Sequence, residues 1–592
     1  MRRRIFCAPR DFRETIPGHL PSPPARPAKS RPKNRVTSKN LPTRSGGEIL
    51  VDALSVQKVR HVFCVPGESF LAALDALGHA SDIHTVVCRQ EGGAAMMAEA
   101  MAKLTGEPGV CFVTRGPGAT NAASGIHVAA QDSTPLVLLI GQVATDALFR
   151  EAFQEIDYVQ FYGSIAKHVE QVYDAARLPE VMSRAFHTAC NGRMGPVVVV
   201  LPEDVLRDLA GVPDVPMRRS LNIEASSKDL IAFSTLVGES KRPLLIAGGR
   251  NWDPEARAAL HQFSRHWKLP VAAAWRYHDV FDHGDEHYVG DVGIGMNPEL
   301  EGALQASDLV IALGIRLGEM TTKGYSRLQP PLPAQKLIHI FQSPEELGRV
   351  YYPELAIAVT APEFARSLSQ LPIPETLPWA ETTQNLRHSY LKWIKPATVQ
   401  GELDLSMVMV ELDRMLAKDA IVTNGAGNNT GWLHRFFRFV GERRQLAPTS
   451  GSMGYGLPAA IAASLAYPNR QVVAVVGDGD IQMTSQELAT VAQQKLSVII
   501  IVVNNAMLGT IRMHQEVHYP GRVSNTALQN PDFCALAAAH GLASARVTRT
   551  EAFSSALENA LSESGSTLIE IVTGAEAISH IATITELRKR SH

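Results

Sequence analysis

The segment from Val472 to Met507 leaves the chain little choice of fold. An apolar, β-branched run, Val472–Val476, ends in Gly477-Asp478-Gly479-Asp480. A helix-forming stretch follows, then a second apolar run, Val498–Val503, closed by Asn504-Asn505. Asp478 and Asn505 are 27 positions apart, and a strand, a crossover helix and a second parallel strand need about 30 residues. The spacing therefore predicts Asp478 and Asn505 at the carboxyl ends of neighbouring parallel strands, where open α/β sheets bind ligands. A carboxylate and an amide oxygen there are hard ligands suited to Mg²⁺, which also takes phosphate oxygens. The glycines let a backbone approach a diphosphate, and the start of the next helix adds amide donors. A GDG alone is most often a tight turn. Bracketed by a strand and a helix, with Asn-Asn closing the next strand, it reads as a metal–diphosphate site.

Val498–Val503 and a further short apolar run bounded by breakers, Val197–Leu201, read as strands buried on both faces of parallel sheets. At 592 residues the chain has room for three or more domains. No apolar run reaches the roughly 18 residues of a membrane span. A net charge of −2 gives no case for a nucleic-acid or membrane partner. Six scattered cysteines without a CxxC pair argue against a disulfide framework or a zinc site, and a reducing, cytoplasmic setting is expected. Residues 1–45 hold twelve basic, two acidic and eight proline residues, a composition expected to be disordered. An organelle transit peptide, a flexible tail and an over-long translated start all remain open there.

The rest divides into three blocks of alternating strands and helices, expected as three doubly wound α/β parallel-sheet domains at 46–211, 228–371 and 400–582. Proline-bearing linkers are expected at Val212–Ser227 and Pro372–Gln384. In the first block Val62–Val65, Val110–Thr114 and Leu136–Ile140 read as strands and Glu91–Leu104 as a helix. In the second, Leu309–Gly314 and Lys336–Phe341 read as strands. Val110–Gln142, around Gly116-Pro117-Gly118, repeats the pattern of Val472–Asn505, which reads either as an internal duplication or as the likeness of any two doubly wound sheets. Thr484-Ser485-Gln486-Glu487 fits a capping box ahead of an apolar stripe of Leu488, Val491 and Ala492. Glu91 opens a helix among Gly and Ala. It reads either as a carboxylate facing the helix dipole or as a buried acid whose pKa burial would raise.

The Gly477–Asn505 unit resembles the metal–diphosphate motif of thiamine diphosphate enzymes, and the first block is similar to their pyrimidine-binding domain. The likeness extends to acetohydroxyacid (acetolactate) synthase catalytic subunits through Arg115-Gly116-Pro117-Gly118-Ala119-Thr120-Asn121, Asp132-Ser133-Thr134-Pro135, Gly141-Gln142-Val143, Ala152-Phe153-Gln154-Glu155, Ala166-Lys167-His168 and Gly192–Pro196. The resemblance implies that Glu91 contacts the aminopyrimidine ring and shares a proton with it, acid–base catalysis relayed through the cofactor. It implies that Phe153, Gln154 and Lys167 line the substrate channel. The diphosphate end would rest on Ala426, Gly427, Asn428, Asn429, Gly451, Gly477, Asp478, Gly479, Asp480, Asn505, Leu508 and Gly509. Met453 would hold the cofactor bent, with core filler as the plainer reading. Asp478, Asn505 and Met507 would ligate Mg²⁺. In this family the two domains that close one site come from different chains, so a homodimer or homotetramer is implied.

Three departures stand out. The Arg-Phe-Asp-Asp-Arg stretch of the synthases is Arg316-Leu317-Gly318-Glu319-Met320, which replaces an arginine that would hold a carboxylate with Met320. A tryptophan tied to the choice of second substrate falls at His514. Near the flavin site, His339-Ile340-Phe341-Gln342-Ser343 and Gly293–Pro298 diverge, and Gly248-Gly249 is too short to compensate, so FAD is not expected. The reading reached is thiamine diphosphate- and Mg²⁺-dependent decarboxylation of a 2-oxo acid with acyl transfer to a carbonyl acceptor, of the kind used in branched-chain amino acid biosynthesis. A lyase of the same superfamily is the alternative, followed by a non-catalytic cofactor-binding paralogue. A nicotinamide dehydrogenase fails for want of a G-x-G-x-x-G with an acid about 20 residues on.

Overall fold

The computed structural model describes residues 41–218, 221, 223–396 and 402–590. The expectation for residues 1–45 therefore falls almost wholly outside the described residues. Three six-stranded sheets, parallel throughout, account for the three blocks. They form because their strands are short β-branched runs with no polar face. Val197–Val200 and Val473–Val475 are fully buried, so helices must cover both sides.

The first sheet comprises His61–Cys64, His84–Val87, Gly109–Val113, Leu136–Gln142, His168–Gln171 and Pro196–Pro202. The third comprises Ile421–Asn424, Arg444–Leu446, Val472–Gly477, Ile499–Asn504, Ala543–Val547 and Thr567–Val572. Numbered within each block, both have the spatial order 2-1-3-4-6-5. The central sheet has the order 3-2-1-4-5-6. Two blocks that share an order the third lacks fit the duplication read from the sequence, against the idea that all doubly wound sheets look alike.

The first and third blocks meet through helices Glu91–Thr105 and Gly456–Ala466. Ala94, Ala95, Ala98, Ala459, Ala460 and Ala463 lie in one continuous apolar core, and small side chains let the two backbones approach closely. A buried ionic cluster sits on this seam. Lys103 Nζ contacts Glu99 at 2.8 Å and pairs with Asp132. It also donates to the Ala447 carbonyl at 3.1 Å.

Two local expectations are corrected. The linker expected at Pro372–Gln384 gives way to a helix, Ala380–Trp393. The helix belongs to the central block: Trp379 is fully buried in that core and its indole donates to the Trp267 carbonyl at 2.7 Å. Prolines just ahead of a helix are compatible with its first turn, so they did not mark a linker's end. The capping box at Thr484 is absent. Helix starts at Asp478 itself, Asp478–Ile481, and a 3₁₀ turn, Ser485–Glu487, leads into Leu488–Gln493. Thr484 Oγ1 donates instead to the Gly454 carbonyl at 2.8 Å. Leu488 and Val491 are buried, but Ala492 is exposed and Thr490 takes the third inward position.

Candidate active site

Gly477 pairs with Val503 in the parallel register of the third sheet. Asp478 and Asn505 thus leave the carboxyl ends of adjacent strands. Asp478 is buried; it accepts its own neighbour's amide, Gly479 N, at 2.9 Å and Asn530 Nδ2 at 2.7 Å. Burial pushes its carboxyl above the usual aspartate range. Asn505 Oδ1 accepts from Met507 N at 3.2 Å, and Met507 is buried beside Ile578 and Ile584. Two hard oxygens on neighbouring strand ends, each with lone pairs to spare, fit an octahedral divalent cation.

Across the crevice the turn after Ile421–Asn424 carries Gly425-Ala426-Gly427-Asn428-Asn429. A Cβ on Gly425 would lie 2.3 Å from the Asp480 carboxylate, and Gly427 has φ +135°. Only glycine suits either position. Asn429 Oδ1 lies 3.4 Å from where a Gly477 Cβ would be, and its Nδ2 is buried without an acceptor. That orphan donor, set in a glycine cradle between two strand ends, fits a diphosphate oxygen. Asn428 spans the site, donating to the Ile578 carbonyl at 2.8 Å and accepting from Thr510 at 2.9 Å. Asp480 is buried between the two glycine-rich turns, its Oδ2 without a hydrogen-bond donor. It accepts Gly454 N at 2.6 Å and Ala426 N at 3.4 Å, and burial pushes its carboxyl up to about 6. It bridges the two glycine-rich turns. Gly479 is covered by Leu508, Leu528 and Met453, whose Cε lies 3.7 Å from where a Cβ on Gly479 would be. Gly451 (φ +68°) and Gly454 (φ +83°) flank Met453, and Gly509 begins the helix Gly509–His518.

Glu91 opens helix Glu91–Thr105, where Gln90 accepts from Gly93 N. Glu91 is buried and Asn121 Nδ2 donates to it at 2.9 Å. The Glu487 carboxylate that sequence reasoning assigned to a local cap reaches instead into the first block. It accepts Arg89 N at 3.1 Å and Gln90 N at 3.0 Å, so a residue of the third block holds the turn that delivers Glu91. Phe153, 74% exposed, and Gln154, at φ +65°, stand on the loop after Leu136–Gln142. Lys167 Nζ donates to the carbonyls of Thr188, at 2.7 Å, and Asn191, so its cation caps the end of helix Leu178–Cys190.

Met320 lines a cavity of about 410 Å³ at the carboxyl edge of the central sheet, with Gly249, Arg250, Phe341, Gln342 and Thr449. His514 lies exposed on helix Gly509–His518, its ring stacked on His518. Sequence reasoning missed Asn530. It binds Asp478, Asn504 at 2.8 Å and Gln482 at 2.9 Å, and nothing in its irregular surroundings signals that role.

Comparison with known proteins accounts for this arrangement. Residues 44–161 match the N-terminal TPP binding domain of thiamine pyrophosphate enzymes, 232–368 their central domain and 425–571 their C-terminal TPP binding domain. The chain is 33% identical to the mitochondrial acetolactate synthase of Schizosaccharomyces pombe, over 89% of its length and 83% of that protein's. It is 33% identical to the acetolactate synthase isozyme 3 large subunit of Escherichia coli, over 88% and 92%. It is 32% identical to a probable acetolactate synthase large subunit of Methanocaldococcus jannaschii, over 90% and 93%. Among the described residues no helix is long and apolar enough to cross a membrane.

Proposed function

The chain belongs to the thiamine pyrophosphate enzyme family, and we propose that it decarboxylates a 2-oxo acid and transfers the acyl unit to a carbonyl acceptor, as an acetolactate synthase-like carboligase. The observation that carries this is the pairing of two half-sites in one chain: a buried Glu91 hydrogen-bonded by Asn121 in the pyrimidine-type block, and Asp478 with Asn505 at adjacent strand ends in the diphosphate-type block. Intact halves argue against a non-catalytic paralogue.

Bound thiamine diphosphate supplies a carbon acid that stabilises negative charge after decarboxylation. The chain's residues do the rest. Asp478, Asn505 and the Met507 backbone hold Mg²⁺ against the diphosphate. Ala426, Gly427, Asn429 and Gly479 take the diphosphate oxygens. Glu91 holds a proton at the pyrimidine nitrogen, and burial keeps water from competing for it. Phe153 and Gln154, on the loop after Leu136–Gln142, would line the acceptor's channel. The exposure of Phe153 and of Phe149, 86% exposed, suits a second copy of the chain closing the site, so the working unit is a homodimer or a dimer of dimers.

Met320 removes a fixed cation that would pair with a carboxylate acceptor, an interaction worth about 1.5–3 kcal/mol. An uncharged acceptor such as an aldehyde therefore suits this chain better than a second 2-oxo acid. The test is a panel of 2-oxo acids with and without aldehydes, products identified by mass. Coupled hydroxyketones are expected. Free aldehyde as the sole product selects the lyase, and preferred acetolactate formation from pyruvate alone overturns the acceptor reading.

A further inference from the structure

In a doubly wound sheet of order 2-1-3-4-6-5, the crevice opens between the first and third strands, where the chain's direction of winding reverses. In the third block that crevice is the diphosphate cradle, between the turns after Ile421–Asn424 and Val472–Gly477. The first block has the same order, so it has the same crevice, between the turns after His61–Cys64 and Gly109–Val113. The turn after Gly109–Val113 meets Glu91: a Cβ on Gly118 would lie 2.8 Å from Thr114 Cγ2 and 3.0 Å from Glu91 Oε1, so the crevice adjoins Glu91.

It is not a second phosphate cradle. Ser69 Oγ and Thr114 Oγ1 are hydrogen-bonded at 2.8 Å, and a Cβ on Gly67 would lie 2.4 Å from Thr114 Cβ. The two turns are locked together. What remains is an ion pair, Arg115 Nη2 to Glu68 Oε1 at 2.7 Å, beside a cavity of about 360 Å³ lined by Glu68, Ser69, Leu71, Arg115, Glu203 and Arg207. Arg115 is 7% exposed. Its Nε donates to the Phe153 carbonyl at 3.2 Å, which ties the pair to the substrate loop. Its Nη1 has no hydrogen-bond acceptor; the nearest carboxylate, Glu203, is 3.9 Å away. Glu68 has a side chain 68% exposed.

A ligand in this cavity would accept from Arg115 and donate to Glu68. A hydroxyl does both. A carboxylate would meet Glu68 and Glu203, and an ammonium would meet Arg115 and Arg207. Two cations and two anions in one crevice leave a neutral ligand favoured. We propose that Glu68 and Arg115 bind a hydroxyl group of the carbonyl acceptor, so that this enzyme prefers 2-hydroxyaldehydes to their deoxy analogues. This rests on the carboligase reading and adds the acceptor's chemistry to it.

The test compares lactaldehyde with propanal, which differ by one hydroxyl, on the holoenzyme. Binding is followed by saturation-transfer NMR and coupling by product formation with the preferred 2-oxo acid. A hydrogen bond to a charged group corresponds to about 10- to 100-fold, so lactaldehyde should bind and couple at least 10-fold better. Glu68→Ala and Arg115→Met should bring that ratio close to one, and Glu68→Asp, which keeps the carboxylate, should retain part of it; circular dichroism checks that each variant is folded. Coupling without a preference for lactaldehyde, or a preference that survives Glu68→Ala, overturns the proposal and leaves the carboligase reading intact. A binding preference that Glu68→Ala removes, with no coupled product from any aldehyde, supports the recognition site and overturns acyl transfer instead.

Discussion

Lys103→Met should destabilise the protein by about 3–5 kcal/mol, the range for breaking a buried ion pair. The Lys103 side chain is wholly buried against Glu99 and Asp132, themselves wholly buried. Without it, Glu99 keeps Tyr455 at 2.6 Å and Thr134 at 2.7 Å, and Asp132 keeps Thr449 N at 2.9 Å. The carboxylates keep these bonds but lose charge compensation, and Asp132 Oδ2 and the Ala447 carbonyl lose a donor, which keeps the loss within that range. The pH dependence has a definite sign. Burial already raises the Glu99 carboxyl in the parent, and removing the cation raises it further. A carboxyl raised in the folded state is tolerated when protonated and penalised when ionised, so the variant's deficit should grow as pH rises through that raised value. Urea unfolding at pH 5 and pH 8, followed by far-ultraviolet circular dichroism, measures it. The same cluster anchors both ends of the Ala447–Tyr455 segment that carries Met453, so thiamine diphosphate should also bind more weakly. A deficit below about 1 kcal/mol, or one larger at pH 5 than at pH 8, refutes the reasoning.

Asp478→Ala should abolish Mg²⁺-dependent thiamine diphosphate binding in a calorimetric titration without unfolding the chain; binding as tight as the parent's would remove the metal assignment. Because burial raises Asp478 and the metal needs it ionised, Mg²⁺ affinity in the parent should fall on acidification from a higher pH than an exposed aspartate would give. Mixing inactive Glu91→Gln and Asp478→Ala chains should restore part of the activity if each site is built from two copies; no recovery in a mixed dimer contradicts a shared site. Purified protein should show no stoichiometric flavin band after gel filtration, since Phe341 stands in the cavity where the synthase pattern has an acidic residue; a stoichiometric band contradicts this.

The sheets were legible because their strands are unbroken apolar runs such as Val197–Val200, and the placing of Asp478 and Asn505 at adjacent strand ends because a crossover fixes their separation. Residues whose partners lie far along the chain were not. Glu487 satisfies a local capping pattern, yet its carboxylate oxygens are taken by the amides of Arg89 and Gln90, about four hundred positions away. Local pattern and tertiary demand competed for one carboxylate, and the tertiary one won. Asn530 sits in irregular chain and is held there by three side-chain contacts that no periodicity encodes. The helix Ala380–Trp393 was hidden by the prolines before it. The contacts of the buried Asp480 side chain with Gly454 N and Ala426 N are likewise tertiary and leave no local pattern.

Glu91 as the acid–base group is the claim on which the proposed chemistry depends. The direct measurement is the rate at which the thiazolium C2 proton of enzyme-bound thiamine diphosphate exchanges with deuterium, read by NMR after rapid quench, in the parent and in Glu91→Gln. A glutamine keeps the shape and can still meet Asn121, but cannot share a proton with the pyrimidine. Exchange should slow by about 10²–10⁴-fold, as for a positioned general acid or base, with cofactor still bound. Exchange at the parent's rate would make Glu91 a helix-terminal carboxylate and contradict the account.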